Sequence, residues 1–192
     1  MKLYIPVGIS GSGKTIFQKS NLTKTYLICP DDLRQEFLGD ASNQSADTEI
    51  WLQAYDRLAK AISRKKDVYF SSTNLSIKAI EHLKEIALEN VKNFQDIQFI
   101  ILDMTDSLDE NLCRSRVKAD LENHIVRSNT LKFVNDLEGN QLDYDYVHKQ
   151  YLQYLNVISD LPSYVINQIE NNNLDMVLQK VCQNTLQNTI TK

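Results

Sequence analysis

The chain has 192 residues, of which 42% are hydrophobic and 24% are charged, a balance typical of a globular protein of one domain. Its formal net charge of −4 excludes a general electrostatic attraction to nucleic acid, so contact with a polynucleotide would need a local basic patch. No segment approaches the ~18 apolar residues of a membrane span, and the first residues lack the pattern of a signal peptide, so neither is expected.

The first predicted strand, residues 3–7, leads into a glycine-rich loop. Residues 8–15 read GISGSGKT and match the phosphate-binding pattern G-x-x-x-x-G-K-[ST]. In this pattern the glycines bring backbone N–H groups close to an anion, and a helix beginning near Gly13 directs its positive dipole end there. Lys14 reaches the β- and γ-phosphates, and the Thr15 hydroxyl binds Mg²⁺. The loop therefore predicts a site for ATP and Mg²⁺ formed by Gly8, Ser10, Gly11, Ser12, Gly13, Lys14 and Thr15.

The rest of the chain alternates strand and helix patterns, which predicts an α/β fold with a mainly parallel sheet flanked by helices. Together with the loop, this indicates a P-loop NTPase fold. We expect one P-loop domain over residues 1–170 and a C-terminal helix or tail over 171–192. Strands are predicted at 25–29, 68–70, 97–102 and 163–166, and helices at 47–65, from Ile77 to Val91 with Ser76 as N-cap, and from about Leu174.

Polar residues follow the second and third strands, where ligands of open parallel sheets bind. Asp31 and Arg34 are three residues apart and share one face of a helical turn. Asp31 could accept a proton from an attacking hydroxyl while Arg34 binds an acceptor phosphate, although the same spacing fits an ordinary helix start. After the third strand, Thr73 and Asn74 could bind phosphate, metal-bound water or the Asp31 carboxylate, and a capped turn is equally consistent with them.

Residues from 107 to about 134 are predicted to be helical and densely charged, which suits a mobile lid over the phosphate site or a solvated pair of surface helices. The basic residues of this segment are Arg114, Arg116, Lys118, Arg127 and Lys132.

The three cysteines and three histidines show no metal-ligand spacing. We interpret the cysteines as reduced thiols of a cytoplasmic protein and the histidines as ordinary core or surface residues. They are Cys29, Cys113, Cys182, His82, His124 and His148.

The phosphate-binding loop, the segment DDLRQE at 31–36, and the segment STNL at 72–75 together resemble the kinase domain of phage polynucleotide 5′-kinases and their small P-loop relatives. The resemblance covers roughly residues 1–135. It implies that Asp31 is the general base toward a 5′-hydroxyl, that Arg34 contacts the acceptor 3′-phosphate, and that a lid arginine, here Arg116, contacts the donor phosphates.

Two features depart from the family pattern. Ser71 and Ser72 stand where an aspartate precedes the Thr-Asn pair, and the second lid arginine falls near Asp120, with Lys118 or Arg127 as substitutes.

The leading hypothesis is therefore a cytoplasmic, ATP- and Mg²⁺-dependent kinase that phosphorylates a hydroxyl, with a polynucleotide 5′-end as the first candidate acceptor. Lys14, Asp31 and Arg116 would be catalytic, and Arg34, Thr73 and Asn74 would bind the acceptor. A nucleotide or another small metabolite is the alternative acceptor, favoured by the negative net charge. A nucleotide-binding module with weak or lost transfer is a third interpretation, favoured by Ser71 and Ser72.

Overall fold

A five-stranded parallel sheet forms the centre of the protein. The structure is a computed structural model that describes residues 1–105, 110–123, 145–161 and 166–168. The strands run in the order β2-β3-β1-β4-β5, and every neighbouring pair is parallel. They are β1 (Lys2–Val7), β2 (Tyr26–Ile28), β3 (Val68–Phe70), β4 (Gln98–Asp103) and β5 (Ile166–Gln168). This arrangement confirms the predicted α/β fold with a parallel sheet.

Helices cover both faces of this sheet, and accordingly the central strands are apolar between their ends. The described helices are α1 (Lys14–Asn21), α2 (Pro30–Leu38), α3 (Asp47–Ser63), α4 (Ile77–Glu89), α5 (Glu110–Glu122) and α6 (Asp145–Asp160), and a 3₁₀ turn lies at Phe94–Asp96. None of these helices combines the length and the hydropathy needed to cross a membrane.

Alternate residues of β1 supply two hydrophobic cores, as the two-residue period of a strand requires. Leu3, Ile5 and Val7 pack in a large core with residues of α2, α3, α4 and α6. Tyr4 lies on the opposite face, in a smaller core that includes Phe17 from α1. Both cores are anchored on the strand that leads into the glycine-rich loop, so the position of that loop is fixed by the most buried part of the sheet.

Several element boundaries differ from those predicted. The second strand spans Tyr26–Ile28 within the predicted 25–29, and Pro30 occupies the first position of α2, where its missing N–H is not needed by the helix. Ser76 is the N-cap of α4, yet its side chain makes no capping hydrogen bond. The last described strand begins at Ile166, the final residue of the predicted strand at 163–166.

Part of the predicted organisation lies outside the described residues. This applies to the second half of the predicted lid, which holds Arg127 and Lys132, and to the C-terminal segment 171–192 with its predicted helix. His124 and Cys182 also fall there, so the expectations for them remain predictions.

The carboxyl ends of β1, β2, β3 and β4 lie along one edge of the sheet, because parallel strands end together. The glycine-rich loop follows β1, Asp31 and Arg34 follow β2, and the Ser71–Asn74 turn follows β3. Segments separated by tens of residues are thereby brought to one edge.

Candidate functional site

The glycine-rich loop after β1 lies against other backbone at close range. Gly11 has φ 81° and Gly13 has φ 88°, the left-handed region that favours glycine. A Cβ on Gly11 would overlap the backbone carbonyl oxygen of Cys113 in α5, and a Cβ on Gly8 would lie 2.9 Å from Cβ of Met104. The loop therefore needs glycine at position 11 both for its dihedral angles and for space.

The Lys14 side chain folds back onto the loop that precedes it. Its Nζ donates hydrogen bonds to the carbonyl oxygens of Gly8 at 2.9 Å and Ile9 at 2.8 Å, and to Oγ of Ser12 at 3.2 Å. The first hydrogen bond of helix α1 runs from the N–H of Phe17 to the carbonyl of Gly13 at 2.9 Å. The N–H groups ahead of Phe17 thus have no acceptor within the helix, the condition for an anion site at a helix N-terminus.

Three consecutive N–H groups at the start of the loop are bound by three other parts of the protein. Gly8 donates to the carbonyl of Thr73 at 3.1 Å, Ile9 to Oγ1 of Thr105 at 3.1 Å, and Ser10 to Oε1 of Gln150 at 2.9 Å. Thr73 follows β3, Thr105 follows β4 and Gln150 belongs to α6. The loop shape therefore depends on segments that are far apart in the sequence.

Asn74, which was predicted to bind the acceptor, is 5% exposed and adopts φ 50°. Its side-chain Nδ2 donates to the carbonyl of Pro6 at 2.7 Å and to that of Ser72 at 3.2 Å. The amide nitrogen thus ties the turn after β3 to the end of β1. Ser71, three residues earlier, is buried, and its backbone N–H donates to the carbonyl of Ile28 at 2.7 Å.

Asp31 and Arg34 are adjacent, as their spacing predicted, and Asp47 joins them. Nη1 of Arg34 donates to Oδ1 of Asp31 at 2.7 Å, while Nε and Nη2 both donate to Oδ1 of Asp47, with Nε at 2.9 Å. The Arg34 side chain is 5% exposed and that of Asp31 is 26% exposed. The guanidinium is therefore buried between two carboxylates that both stay partly accessible to solvent, with Asp47 at 42% side-chain exposure.

Burial, followed by the negative charges of Asp32 and Asp31, raises the pKa of the neighbouring Cys29 thiol to about 11. The thiol therefore stays neutral at physiological pH and adds no charge beside Asp31.

One arginine of the predicted lid contacts the loop. Nη1 of Arg116 donates to the carbonyl oxygen of Gly11 at 3.1 Å, and the Arg116 side chain is exposed. Arg114 is instead paired with Glu110 at 2.6 Å, and Lys118 lies 4.0 Å from Glu122. Within the described part of α5, Arg116 is therefore the cation that lies on the phosphate-binding loop.

Three residues at this edge were missed by sequence reasoning: Asp47, Gln150 and Tyr154. Asp47 was recognised only as the start of a helix, and its pairing with Arg34 has no spacing signal. Gln150 is 140 positions from Ser10 along the chain. Tyr154, whose hydroxyl lies 2.9 Å from both carboxylate oxygens of Asp103, sits in a helix that was not predicted. Among the described residues, no three His, Cys, Asp or Glu side chains form a group that could hold a metal ion.

The first two thirds of the chain match a known protein family. The sequence profile of a family described as "AAA domain" matches residues 3–131. No protein of curated function matches the sequence. Among solved structures, a gluconokinase from Sinorhizobium meliloti 1021 superposes with a TM-score of 0.44 at 13% identity, covering 97% of this chain and 92% of the gluconokinase.

Replacing Gly11 by alanine tests the close approach of the loop to α5. Gly39 is a matched control, because it too has a positive φ, 73°, but a Cβ there would meet nothing within 4 Å. We expect Gly39→Ala to lower the free energy of unfolding by roughly 1–2 kcal/mol from backbone strain alone. Gly11→Ala should lower it by about 1–3 kcal/mol more, since it adds overpacking against Cys113.

Urea unfolding of both variants measures this difference. Equal losses in the two variants would mean that the Cys113 backbone does not constrain the loop.

Proposed function

The chain belongs to the AAA domain family, and from that premise we propose that it is an ATP-dependent phosphotransferase that transfers the γ-phosphoryl group to a hydroxyl. The observation that carries this proposal is the pairing of a P-loop with an accessible carboxylate at the same sheet edge. Lys14 and the N-terminus of α1 form the phosphate side, and Asp31 in the first turn of α2 forms the acceptor side.

The phosphate side fits a nucleotide with a bound Mg²⁺ ion. The loop has glycine where a side chain would collide, a lysine amine beside its carbonyls, and a hydroxyl at Thr15 in the first turn of α1. Lys14 would exchange its loop contacts for the β- and γ-phosphates. Mg²⁺ held by the Thr15 hydroxyl would neutralise part of the phosphate charge. Arg116, whose guanidinium lies at the loop, would stabilise the charge that develops on the transferred group.

On the acceptor side, Asp31 would accept the proton of the attacking hydroxyl. As the hydroxyl oxygen bonds to the γ-phosphorus, the bond from phosphorus to the bridging oxygen breaks and ADP leaves. Arg34 would hold the Asp31 carboxylate in position through its hydrogen bond at 2.7 Å. General-base help of this kind contributes about 10²–10⁴-fold to rate.

For the acceptor, a polynucleotide 5′-hydroxyl is the first candidate, because the Asp31-x-x-Arg34 and Thr73-Asn74 pairs resemble those of polynucleotide 5′-kinases. On this proposal the acceptor 3′-phosphate would replace Asp47 on the Arg34 guanidinium. Thr73 would contact the acceptor, and Asn74, whose amide nitrogen is bound to the carbonyls of Pro6 and Ser72, would hold the turn that carries Thr73. The reaction would take place in the cytoplasm.

A small-molecule hydroxyl is the second candidate, and a specific observation favours it. Arg34 is already bound by two carboxylates and is 4% exposed, so the triad of Asp31, Arg34 and Asp47 carries a net negative charge. Such a triad repels a further phosphate unless Asp47 moves away.

Lys14→Ala should weaken Mg·ATP binding by roughly tenfold to a hundredfold, because it removes the side-chain cation at the phosphates, and charge-assisted hydrogen bonds contribute about 1.5–3 kcal/mol. Lys19→Ala, at an exposed lysine near the end of the same helix, is the control and should bind as wild type does. Titration calorimetry gives both affinities. Wild-type affinity in Lys14→Ala would contradict the assignment of the loop.

Asp31→Asn should lower kcat by at least about a hundredfold while leaving Mg·ATP affinity nearly unchanged, because the amide cannot accept the proton. The exposed neighbour Asp32 provides the control Asp32→Asn, which should retain most of the activity. If the two variants exchange these phenotypes, Asp32 is the base.

Arg34→Lys separates the two acceptor candidates when a panel of hydroxyl acceptors is assayed with ATP. We expect kcat to fall for every acceptor, because Asp31 loses a fixed partner. For oligonucleotides carrying a 3′-phosphate we expect an additional rise in KM of roughly tenfold, because lysine cannot form the same forked contact.

Oligonucleotides without that phosphate should show the fall in kcat alone. If the wild-type protein phosphorylates nucleosides or sugars and no oligonucleotide, the polynucleotide proposal is wrong and the small-molecule hydroxyl is the acceptor.

A further inference from the structure

Helix α6 contacts the phosphate-binding loop although it lies outside residues 3–131, the segment matched by the family profile. Oε1 of Gln150 accepts a hydrogen bond from the backbone N–H of Ser10 at 2.9 Å. Gln150 is itself oriented by Tyr146, because its Nε2 donates to the Tyr146 hydroxyl oxygen at 2.9 Å. Gln150 therefore contacts the loop directly, and the hydrogen bond to Tyr146 fixes the orientation of its side-chain amide.

A second connection runs from α6 through the end of β4. The Tyr154 hydroxyl lies 2.9 Å from both oxygens of Asp103, and Oδ1 of Asp103 also accepts from the N–H of Thr105 at 3.0 Å. Oγ1 of Thr105 in turn accepts from the N–H of Ile9 at 3.1 Å. The hydroxyl of Tyr154 thus reaches the loop through a chain of hydrogen bonds that ends one residue before Ser10.

The connection through Tyr154 is buried and the connection through Gln150 is partly buried, so the loss of either is costly. Gln150 is 5% exposed, Tyr154 3%, Asp103 4% and Thr105 1%. A buried N–H or carboxylate that loses its partner is not readily compensated by water, so the backbone around it shifts to find another one. A shift at Ile9 or Ser10 would move the carbonyl of Ile9, to which Lys14 donates at 2.8 Å.

We propose that Gln150 and Tyr154 are positioning residues that hold the phosphate-binding loop in its binding shape and thereby raise its affinity for Mg·ATP. The inference rests on the proposed function, since it concerns the affinity of the same loop for nucleotide. It assigns a functional role to α6, a segment that neither the loop motif nor the family match covers.

Two conservative variants test the two connections separately in the full chain. Gln150→Met keeps the side-chain length but removes the amide, and Tyr154→Phe removes one hydroxyl and keeps the ring. The matched controls are Gln153→Met and Tyr151→Phe, on the same helix, with Gln153 exposed and Tyr151 half-buried. The measurements are the Kd for Mg·ATP by titration calorimetry at a temperature where each protein is folded, and urea unfolding without nucleotide.

We expect Gln150→Met and Tyr154→Phe each to raise the Kd for Mg·ATP about three- to tenfold, the range expected for a lost hydrogen bond. The controls should remain within about twofold of wild type. Because the Kd refers to folded protein, a purely structural role would lower stability to urea without raising the Kd.

Wild-type affinity in both folded variants would overturn the inference while leaving the proposed function intact. If Gln150→Met does not fold, Tyr154→Phe decides the question alone, because it changes a single oxygen atom. A wild-type protein that does not bind Mg·ATP would refute the proposed function itself, and the inference with it.

Discussion

The hydrogen bonds from the Lys14 ammonium group to the preceding loop organise the candidate site. The ammonium group draws the carbonyl oxygens of Gly8 and Ile9 and the Ser12 hydroxyl toward one point. A loop whose carbonyls converge on a cation must direct its N–H groups elsewhere, and the first three of them are taken by β3, β4 and α6 segments. On the proposed function, a phosphate would bind this cation more strongly than neutral carbonyls do, while the three N–H hydrogen bonds would continue to hold the start of the loop.

The charges at the sheet edge are divided between two sides. Lys14 and Arg116 lie at the loop after β1, whereas Asp31 and Asp47 surround Arg34 after β2. The loop side is therefore cationic and the side after β2 has a net negative charge. A cationic surface favours phosphate and a carboxylate favours a hydroxyl proton, so this division suits transfer from a polyphosphate to a hydroxyl. Burial of Arg34 fixes the geometry of Asp31 but also restricts access of any acceptor anion.

Features that depend on a local pattern, such as strands and the loop motif, could be predicted from the sequence. Contacts between distant segments could not. The strands at 68–70 and 97–102 were recognisable because apolar runs between turns indicate buried strands, and the structure has them at Val68–Phe70 and Gln98–Asp103. The loop motif identified Lys14 through fixed spacing. Arg34 with Asp47, 13 residues apart, and Ser10 with Gln150 have no such spacing, because side chains on different elements meet only after the sheet order is set.

The serine at position 71 can be understood from the same charge distribution. Ser71 is buried at the end of β3, between β2 and the loop strand β1 in the sheet. An ionised carboxylate there would need a partner, and Arg34 is already shared by two aspartates. Asp103, at the end of β4 on the other side of β1, has its carboxylate bound by Tyr154 and by the N–H of Thr105. Both carboxylates on Arg34 are partly exposed, but Asp31 lies in the first turn of α2, directly after β2, whereas Asp47 begins α3. This position after a strand end is the reason that we propose Asp31 as the proton acceptor.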